Sequence, residues 1–169
     1  MTAPNEGDLN KQLGRSRKMY INDVSDGGTH ENPKWLLIEN ISGAVALPLD
    51  RSDDDFTVRA TPNQKTDFGE IAFTPITFNY KKAPTDKVFD LMQYCILTNT
   101  STEVLALDAA RDVDGAKGFR GPVGIKKLDR TEPSGSGVMY AVEMKEPLVY
   151  DADGNALYFK AYQVAAAAE

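Results

Sequence analysis

Residues 71–102 read IAFTPITFNYKKAPTDKVFDLMQYCILTNTST, and the rest of the chain is organised around this stretch. Apolar and polar residues alternate from 76 to 80, a pattern typical of a strand with one buried face. Upstream of Pro75 the apolar residues fall on the opposite parity. We therefore predict a bulge or bend near Pro75 that lets both sets of apolar side chains face inward.

The second half of the stretch predicts an amphipathic helix. A breaker at Pro84, a hydroxyl cap at Thr85 and an acid at Asp86 precede it, and Asn99 follows it, as is usual at helix ends. The predicted buried face comprises Val88, Phe89, Leu91, Met92, Cys95 and Ile96, and the predicted outer face comprises Lys87, Asp90, Gln93 and Tyr94. A single helix among strands predicts a mainly β chain of the α+β class, in which the helix covers one open face or end of a sheet.

Outside this stretch the chain reads as strands joined by polar loops. The predicted strands are 19–21, 35–38, 41–49, 56–60, 104–107 and 138–150. The strand at 35–38 is apolar on both sides, which predicts a central position in a sheet. Residues 108–121 are rich in glycine and predict a loop. The strand at 138–150 is expected to pair with 156–164 across a tight turn at 151–155.

Length and composition predict one domain. The chain has 169 residues and no interior linker, so we divide it into a mobile N-terminal arm at 1–15, a single β domain at 16–164 and a short C-terminal tail at 165–169. The first residues are polar and acidic, and no apolar run is long enough to span a membrane. We expect a soluble chain that is not exported by a cleaved N-terminal signal.

The charge balance argues against a general nucleic-acid binder. Lys+Arg 19 against Asp+Glu 25 gives a formal net charge of −6, whereas duplex binding draws most of its affinity from phosphate neutralisation. An acidic surface is instead compatible with repelling a nucleic acid.

The sequence does not favour an enzyme. His30 is the chain's one histidine, in a loop beside glycines, and we interpret it as a surface residue without a catalytic role. One cysteine and one histidine cannot complete a structural zinc site, and Cys95 on the helix's apolar side is interpreted as a buried thiol. No phosphate-binding glycine motif is present, so we predict no metal and no cofactor.

Two acidic loops leave calcium open as an alternative. Asp112 and Asp114 lie in the first loop, and Asp151 and Asp153 lie in the second. Each resembles the start of an oxygen-rich calcium loop but lacks the closing glutamate of an EF-hand. Turn chemistry explains both spacings. A calcium- or carbohydrate-binding β-sandwich module remains a rival hypothesis.

The arrangement resembles the major tail tube protein of long-tailed, siphovirus-type bacteriophages. Three segments carry the resemblance: KWLLIENISG at 34–43, ITFNYKKAPTDKVFDLMQYCILT at 76–98, and VMYAVEMKEPLVYDADGNALYFKAY at 138–162. The resemblance is one of organisation and covers most of 16–164. It implies a β-sandwich or small barrel flanked by a helix, a fold also found in contractile-tail tubes and type VI secretion tubes.

The resemblance further implies a structural subunit of the virion tail, assembled in the cytoplasm of a bacterial host. Such subunits form hexameric rings that stack into a hollow tube, through which DNA passes without specific binding. The implied partners are further copies of the chain and other tail proteins, such as the tape measure and terminator. Another virion protein, a tail terminator or a capsid decoration protein, is the nearest alternative.

The resemblance leads to hypotheses about the roles of three sets of residues in the assembly. Asp53, Asp54 and Asp55 form an acidic turn that could line the lumen, with a solvated turn as the alternative. Lys87, Asp90, Gln93 and Tyr94 could form the seam between neighbouring subunits, and Arg15, Arg17 and Lys18 could belong to a ring-stacking arm. The wider hypothesis is that residues 1–20, the loop 43–67 and the tail after Val164 contact adjacent rings or subunits.

Overall fold

A computed structural model of the chain describes residues 18–47, 50–56, 65–72, 75–131 and 137–165. Within these ranges the secondary structure comprises ten strands, one α-helix and one 3-10 turn. In chain order they are β1 (Lys18–Asn22), the 3-10 turn (Val24–Asp26), β2 (Trp35–Leu37), β3 (Ile41–Ala46), β4 (Asp50–Phe56), β5 (Lys65–Ala72), β6 (Ile76–Lys81), α1 (Lys87–Thr98), β7 (Thr102–Leu107), β8 (Lys117–Thr131), β9 (Met139–Lys145) and β10 (Lys160–Gln163). The predicted fold class, mainly β with a single helix, is confirmed. None of the helical structure in the described ranges is long and apolar enough to cross a membrane.

Eight strands form one antiparallel sheet system. Seven of them follow the order β2-β1-β7-β8-β9-β6-β3, and β10 pairs with β8. The long strand β8 joins two halves of this system, because its first part pairs with β7 and β10 and its second part pairs with β9. Strands β4 and β5 form a separate antiparallel hairpin.

Helix α1 and the sheet system enclose the main core. Ile76, Phe78 and Tyr80 alternate inward on β6 as predicted, and Phe89 of the helix packs on Tyr140 of β9 with ring centroids 4.5 Å apart. The helix residues that are buried are Val88, Phe89, Leu91, Met92 and Cys95. Removing these apolar side chains from water is the main favourable contribution to folding.

Asp86 caps the helix, in place of the predicted Thr85 hydroxyl. Its carboxylate accepts hydrogen bonds from the backbone N–H of Phe89 at 3.0 Å and of Ala83 at 3.2 Å, and from the Tyr80 hydroxyl at 2.7 Å. The two carboxylate oxygens of Asp86 accept from four groups at once, counting the Asn40 amide at 3.3 Å, whereas a hydroxyl offers only two acceptor lone pairs. Asn99 ends the helix in the left-handed conformation, with φ 52°.

Burial of the Asp86 carboxylate raises its pKa, but the hydrogen bonds that it accepts outweigh that effect and leave the pKa below its usual value. The donors are the Tyr80 hydroxyl, the backbone N–H groups of Phe89 and Ala83, and the Asn40 amide. Burial, followed by the hydrogen bond to Asp86, raises the pKa of Tyr80. Asp86 therefore remains ionised as the acceptor and Tyr80 remains protonated as the donor.

Several strand predictions were wrong in their partners or limits. The apolar residues on the two sides of Pro75 do not share one sheet, because β5 ends at Ala72 in the separate hairpin and β6 begins at Ile76 in the main sheet; the connection at 73–74, where a bulge or bend was expected, lies outside the described residues. Strand β2 lies at the edge of the main sheet and pairs only with β1 among the described strands. The glycine-rich loop is shorter than predicted, since β8 begins at Lys117.

The hairpin predicted from 138–150 and 156–164 was also wrong in its main pairing. Strand β9 ends at Lys145 and pairs with β6 and β8, while β10 returns to pair with β8. Between them, only Tyr150 and Ala156 form an isolated antiparallel bridge. Tyr150, the last residue of the predicted strand, lies beyond the end of β9, and its side chain is 59% exposed.

Candidate assembly surfaces

Strand β3 presents an unpaired edge. It pairs with β6 and, among the described strands, with no other. The residues from Ser42 to Ala46 are exposed, and the register slips between these two positions. An edge of this kind exposes backbone N–H and C=O groups that a strand from another chain can pair with.

The sheet face turned away from the helix carries small and charged side chains in cross-strand rows. One row runs Ala46–Thr77–Glu143–Lys127, and the next runs Ser42–Asn79–Ala141–Asp129. Lys126 lies 3.1 Å from Glu143, and Lys127 lies 2.9 Å from Asp129. Because solvent screens both pairs, their contribution to stability is small. Their effect is to balance the charge of this face.

The acidic residues proposed for the lumen lie in a strand, so the prediction of a turn was wrong. Asp53, Asp54 and Asp55 belong to β4, opposite Phe68, Asp67 and Thr66 of β5. Their proposed place at the lumen stays a prediction.

The predicted seam residues share the outer face of helix α1. Lys87, Asp90, Gln93 and Tyr94 are all exposed in the single chain. Leu97 lies beside them with 77% of its surface exposed, and the sequence prediction missed it. An apolar residue on an otherwise polar helix face was the signal that could have identified it.

Of the three basic residues proposed for the ring-stacking N-terminal arm, only Lys18 lies within the described residues. Arg15 and Arg17 lie outside the described residues. Lys18 begins β1 opposite Leu107 and is partly buried.

A buried charged cluster was missed by the sequence prediction. Glu103 of β7 is 6% exposed, and its carboxylate lies 2.6 Å from Nδ1 of His30 and 2.7 Å from Nη2 of Arg120. The Arg120 guanidinium also lies over the Trp35 ring, 5.4 Å from its centroid. The interpretation of His30 as a surface residue was wrong, because Glu103 and Arg120 hold it against the sheet. The signal was an acid immediately before the apolar run 104–107 that predicted β7.

The cluster fastens the loop that joins β1 to β2. Arg120 donates to the backbone oxygen of His30, and Asn22 donates to the backbone oxygen of Thr29 at 3.1 Å. The Asn22 side chain also accepts the backbone N–H of Lys34 at 2.7 Å. In these contacts the side chains of His30, Glu103 and Arg120 hold the loop in position, so the cluster has a structural role.

Both acidic loops form turns, and the Asp151 carboxylate stabilises the second of them. The Asp151 carboxylate accepts the backbone N–H of Asp153 at 3.0 Å and of Asn155 at 2.8 Å, and the hydrogen bond from Asn155 lowers its pKa. Asp112 and Asp114 are exposed in the loop before β8. Across the described ranges, no three side chains of His, Cys, Asp or Glu meet in a group that could hold a metal ion.

Cys95 lies in the core, as predicted. It is 2% exposed on the inner face of α1, and burial raises its pKa to about 11. The nucleophilic thiolate is therefore scarce at neutral pH.

Comparison with known proteins identifies the fold. No family model matches the chain, and no curated protein matches its sequence. Among solved structures, a chain of the SPP1 tail tube, determined by solid-state NMR and cryo-EM, matches with a TM-score of 0.65 and 10% sequence identity over 91% of this chain and 80% of that chain. A chain from the six-fold symmetrised cryo-EM structure of the anti-feeding prophage (AFP) baseplate matches with a TM-score of 0.52 and 8% identity, over 97% of this chain and 99% of that chain.

These matches place the chain in the tail tube class of folds. The resemblance expected from the sequence is thereby confirmed for the fold.

Proposed function

We propose that this protein is the structural subunit of a tail tube, of a bacteriophage or of a phage-derived device, and that it assembles from copies of itself. The observation that carries the proposal is the likeness of its fold to the SPP1 tail tube over 91% of the chain. At 10% identity this likeness supports the function through shared architecture alone.

The geometry of the sheet supports assembly by strand addition. Strands β2 and β3 are the two ends of the main sheet path, and neither pairs further among the described strands. Edges of this kind favour aggregation in a monomer but become contacts when neighbouring subunits continue the sheet. A contact that joins two different edges is head-to-tail, and a fixed rotation closes it into a ring. We propose six subunits in that ring.

The remaining residue hypotheses belong to this proposal. The outer face of α1, with Lys87, Asp90, Gln93 and Tyr94, forms the seam between subunits. Residues 1–20, including Arg15, Arg17 and Lys18, bridge successive rings. Asp53, Asp54 and Asp55 belong to the hairpin β4–β5, and an acid among them that faces the lumen would repel DNA phosphates during ejection.

The proposed assembly is a virion component that forms in the host cytoplasm and contacts other tail proteins, such as the tape measure and terminator, at its ends. A tail terminator or capsid decoration protein is the alternative within the same structural class. Such a protein would form one ring or a trimer and would not elongate.

Sedimentation velocity over a range of protein concentrations tests the proposal. We expect the wild-type protein to form rings and longer particles as concentration rises, and the charge reversal Asp90→Lys to weaken ring formation. Deletion of residues 2–14 should leave a folded chain that elongates poorly. A wild-type chain that sediments as a monomer at every concentration would contradict the proposed function.

A further inference from the structure

Residues 146–159 form a two-stranded arm that leaves the sheet between β9 and β10. The backbone N–H of Leu157 donates to the Val149 oxygen at 2.9 Å, and Tyr150 faces Ala156 in the antiparallel bridge. At the base, the backbone N–H of Phe159 donates to the Glu146 carboxylate at 3.1 Å. Hydrogen bonds therefore hold the two segments of the arm together, both along its length and at its base.

One face of the arm is apolar and exposed. The register that sets Tyr150 opposite Ala156 also sets Leu148 opposite Tyr158, so these side chains share a face. Leu148 is 73% exposed, Tyr150 is 59% exposed and Tyr158 is 63% exposed. Large apolar side chains grouped in this way mark an interaction surface. The arm also carries Glu146, Asp151 and Asp153 and has no lysine or arginine.

A groove with the opposite charge lies elsewhere on the molecule. It has a volume of about 430 Å³ and is lined by Lys82, Ala83, Pro84, Arg130, Val138 and Tyr140. Among the described residues that line it, two are cationic and exposed, none is acidic, and the others are mainly apolar. The cavity on the open sheet face fits the arm less well, because Glu143 lines it together with a single lysine.

The arm and the groove lie at opposite ends of β9. The groove surrounds the start of this strand, where Met139 pairs with Thr131 and Lys81, whereas the arm begins after Lys145, which pairs with Gly124. At roughly 3.3 Å per residue, the strand separates them by about 20 Å. A subunit with complementary surfaces at its two ends joins copies head to tail without limit.

We propose that the arm of one copy docks in the groove of a second copy in the next ring and that this contact drives stacking. The inference rests on the proposed tube function and assigns its axial contact. Leu148, Tyr150 and Tyr158 enter the groove beside Val138 and Pro84, and the carboxylate of Asp153 approaches Lys82 and Arg130. Asp151 holds the turn at the arm's tip, so its role is to shape the arm.

Two complementary variants test the contact. Tyr150→Ser with Tyr158→Ser removes the arm's apolar face, and Lys82→Glu with Arg130→Glu reverses the groove's charge. All four side chains are exposed or half-buried at the surface, so both variants are expected to fold, which circular dichroism and a thermal melt check. Arg111→Glu with Lys117→Glu is the control, since it reverses two exposed charges away from both surfaces.

Mass photometry and negative-stain electron microscopy supply the readout. We expect tubes from the wild type and the control, single rings from each variant alone, and paired rings without elongation when the two variants are mixed. Tubes from either variant at wild-type yield, or single rings alone in the mixture, would overturn the arm–groove contact while the tube function stands. A monomeric wild type would overturn the tube function and this contact together.

Discussion

Asp86 determines where helix α1 begins and ties the helix to β6. Its carboxylate accepts from Phe89, Ala83 and Tyr80 in a buried site, so its loss leaves several donors without an acceptor. We expect Asp86→Ala to lower the free energy of unfolding by about 2–3 kcal/mol. Urea denaturation measures this change. Asp90→Ala, in the exposed first turn, is the control and should cost less than about 1 kcal/mol; equal losses would contradict the capping role.

The pKa of Asp86 gives its contribution a defined pH dependence. Because the folded-state pKa lies below the unfolded value, the stabilisation is complete above a pH of about 4 and is lost as the pH falls through the folded pKa. We expect the stability difference between wild type and Asp86→Asn to be constant from pH 7 to 5 and to shrink towards pH 2. Denaturation curves across this range measure it. A difference that grows on acidification would show that the neutral acid is the stabilising form.

Residue-scale predictions succeeded where the pattern was local. The helix's buried face follows from the spacing of its apolar residues, and Asn99 ends it as expected. The preference for Asp86 over Thr85 as the cap depends on Tyr80 and Asn40, which approach only in the folded chain. The buried contacts of Glu103 also form only in the folded chain, because its partners His30 and Arg120 are distant from it in sequence.

At the scale of elements, the charged cluster holds the β1–β2 loop on the sheet. Glu103→Gln leaves the largely buried Arg120 guanidinium without its carboxylate, and breaking a buried pair in this way costs about 3–5 kcal/mol. Trp35 is the chain's single tryptophan and lies under Arg120, so its fluorescence should also change. Glu143→Gln, which affects an exposed pair with Lys126, is the control, with a loss below about 1 kcal/mol. An unchanged melt and emission spectrum for Glu103→Gln would refute the role of the cluster.

The pairing of β7 with β8 depends on a close backbone approach at Gly118. A Cβ added there would lie 1.8 Å from the backbone oxygen of Ala106, whereas at Gly124 the nearest atom is 3.9 Å away. We expect Gly118→Ala to destabilise the fold by about 2–3 kcal/mol, because the strands must separate. Gly124→Ala should change stability by less than about 1 kcal/mol. Thermal melts compare the two variants, and similar losses for both would contradict the register of this pair.

The positions of the strands along the chain were easier to predict from the sequence than the strands with which they pair. Alternation located β6 and β9, and short apolar runs located β1 and β7, which are buried on both faces. It could not show that β9 pairs with β6 and β8, because pairing depends on contacts between distant segments. Leu148 and Tyr150 continue the alternation of β9 and were included in the same predicted strand, although they belong to the arm, which has left the sheet.

At the scale of the whole molecule, the central claim is that exposed edges and surfaces become subunit contacts. The sequence supported the class of fold through its single helix, its strands and its resemblance to tail tube proteins. It predicted the outer face of α1 as a contact surface, and Pro48 indicated a sheet edge at the end of the run 41–49. It could not show that β3 pairs with β6, or that the arm and the groove lie at opposite ends of β9, since both depend on strand order.

Negative-stain electron microscopy of concentrated wild-type protein tests whether these surfaces are subunit contacts. We expect hollow tubes built from stacked rings, with end-on views that show sixfold symmetry. Monomers alone, or single rings or trimers that never elongate at any concentration, would contradict it.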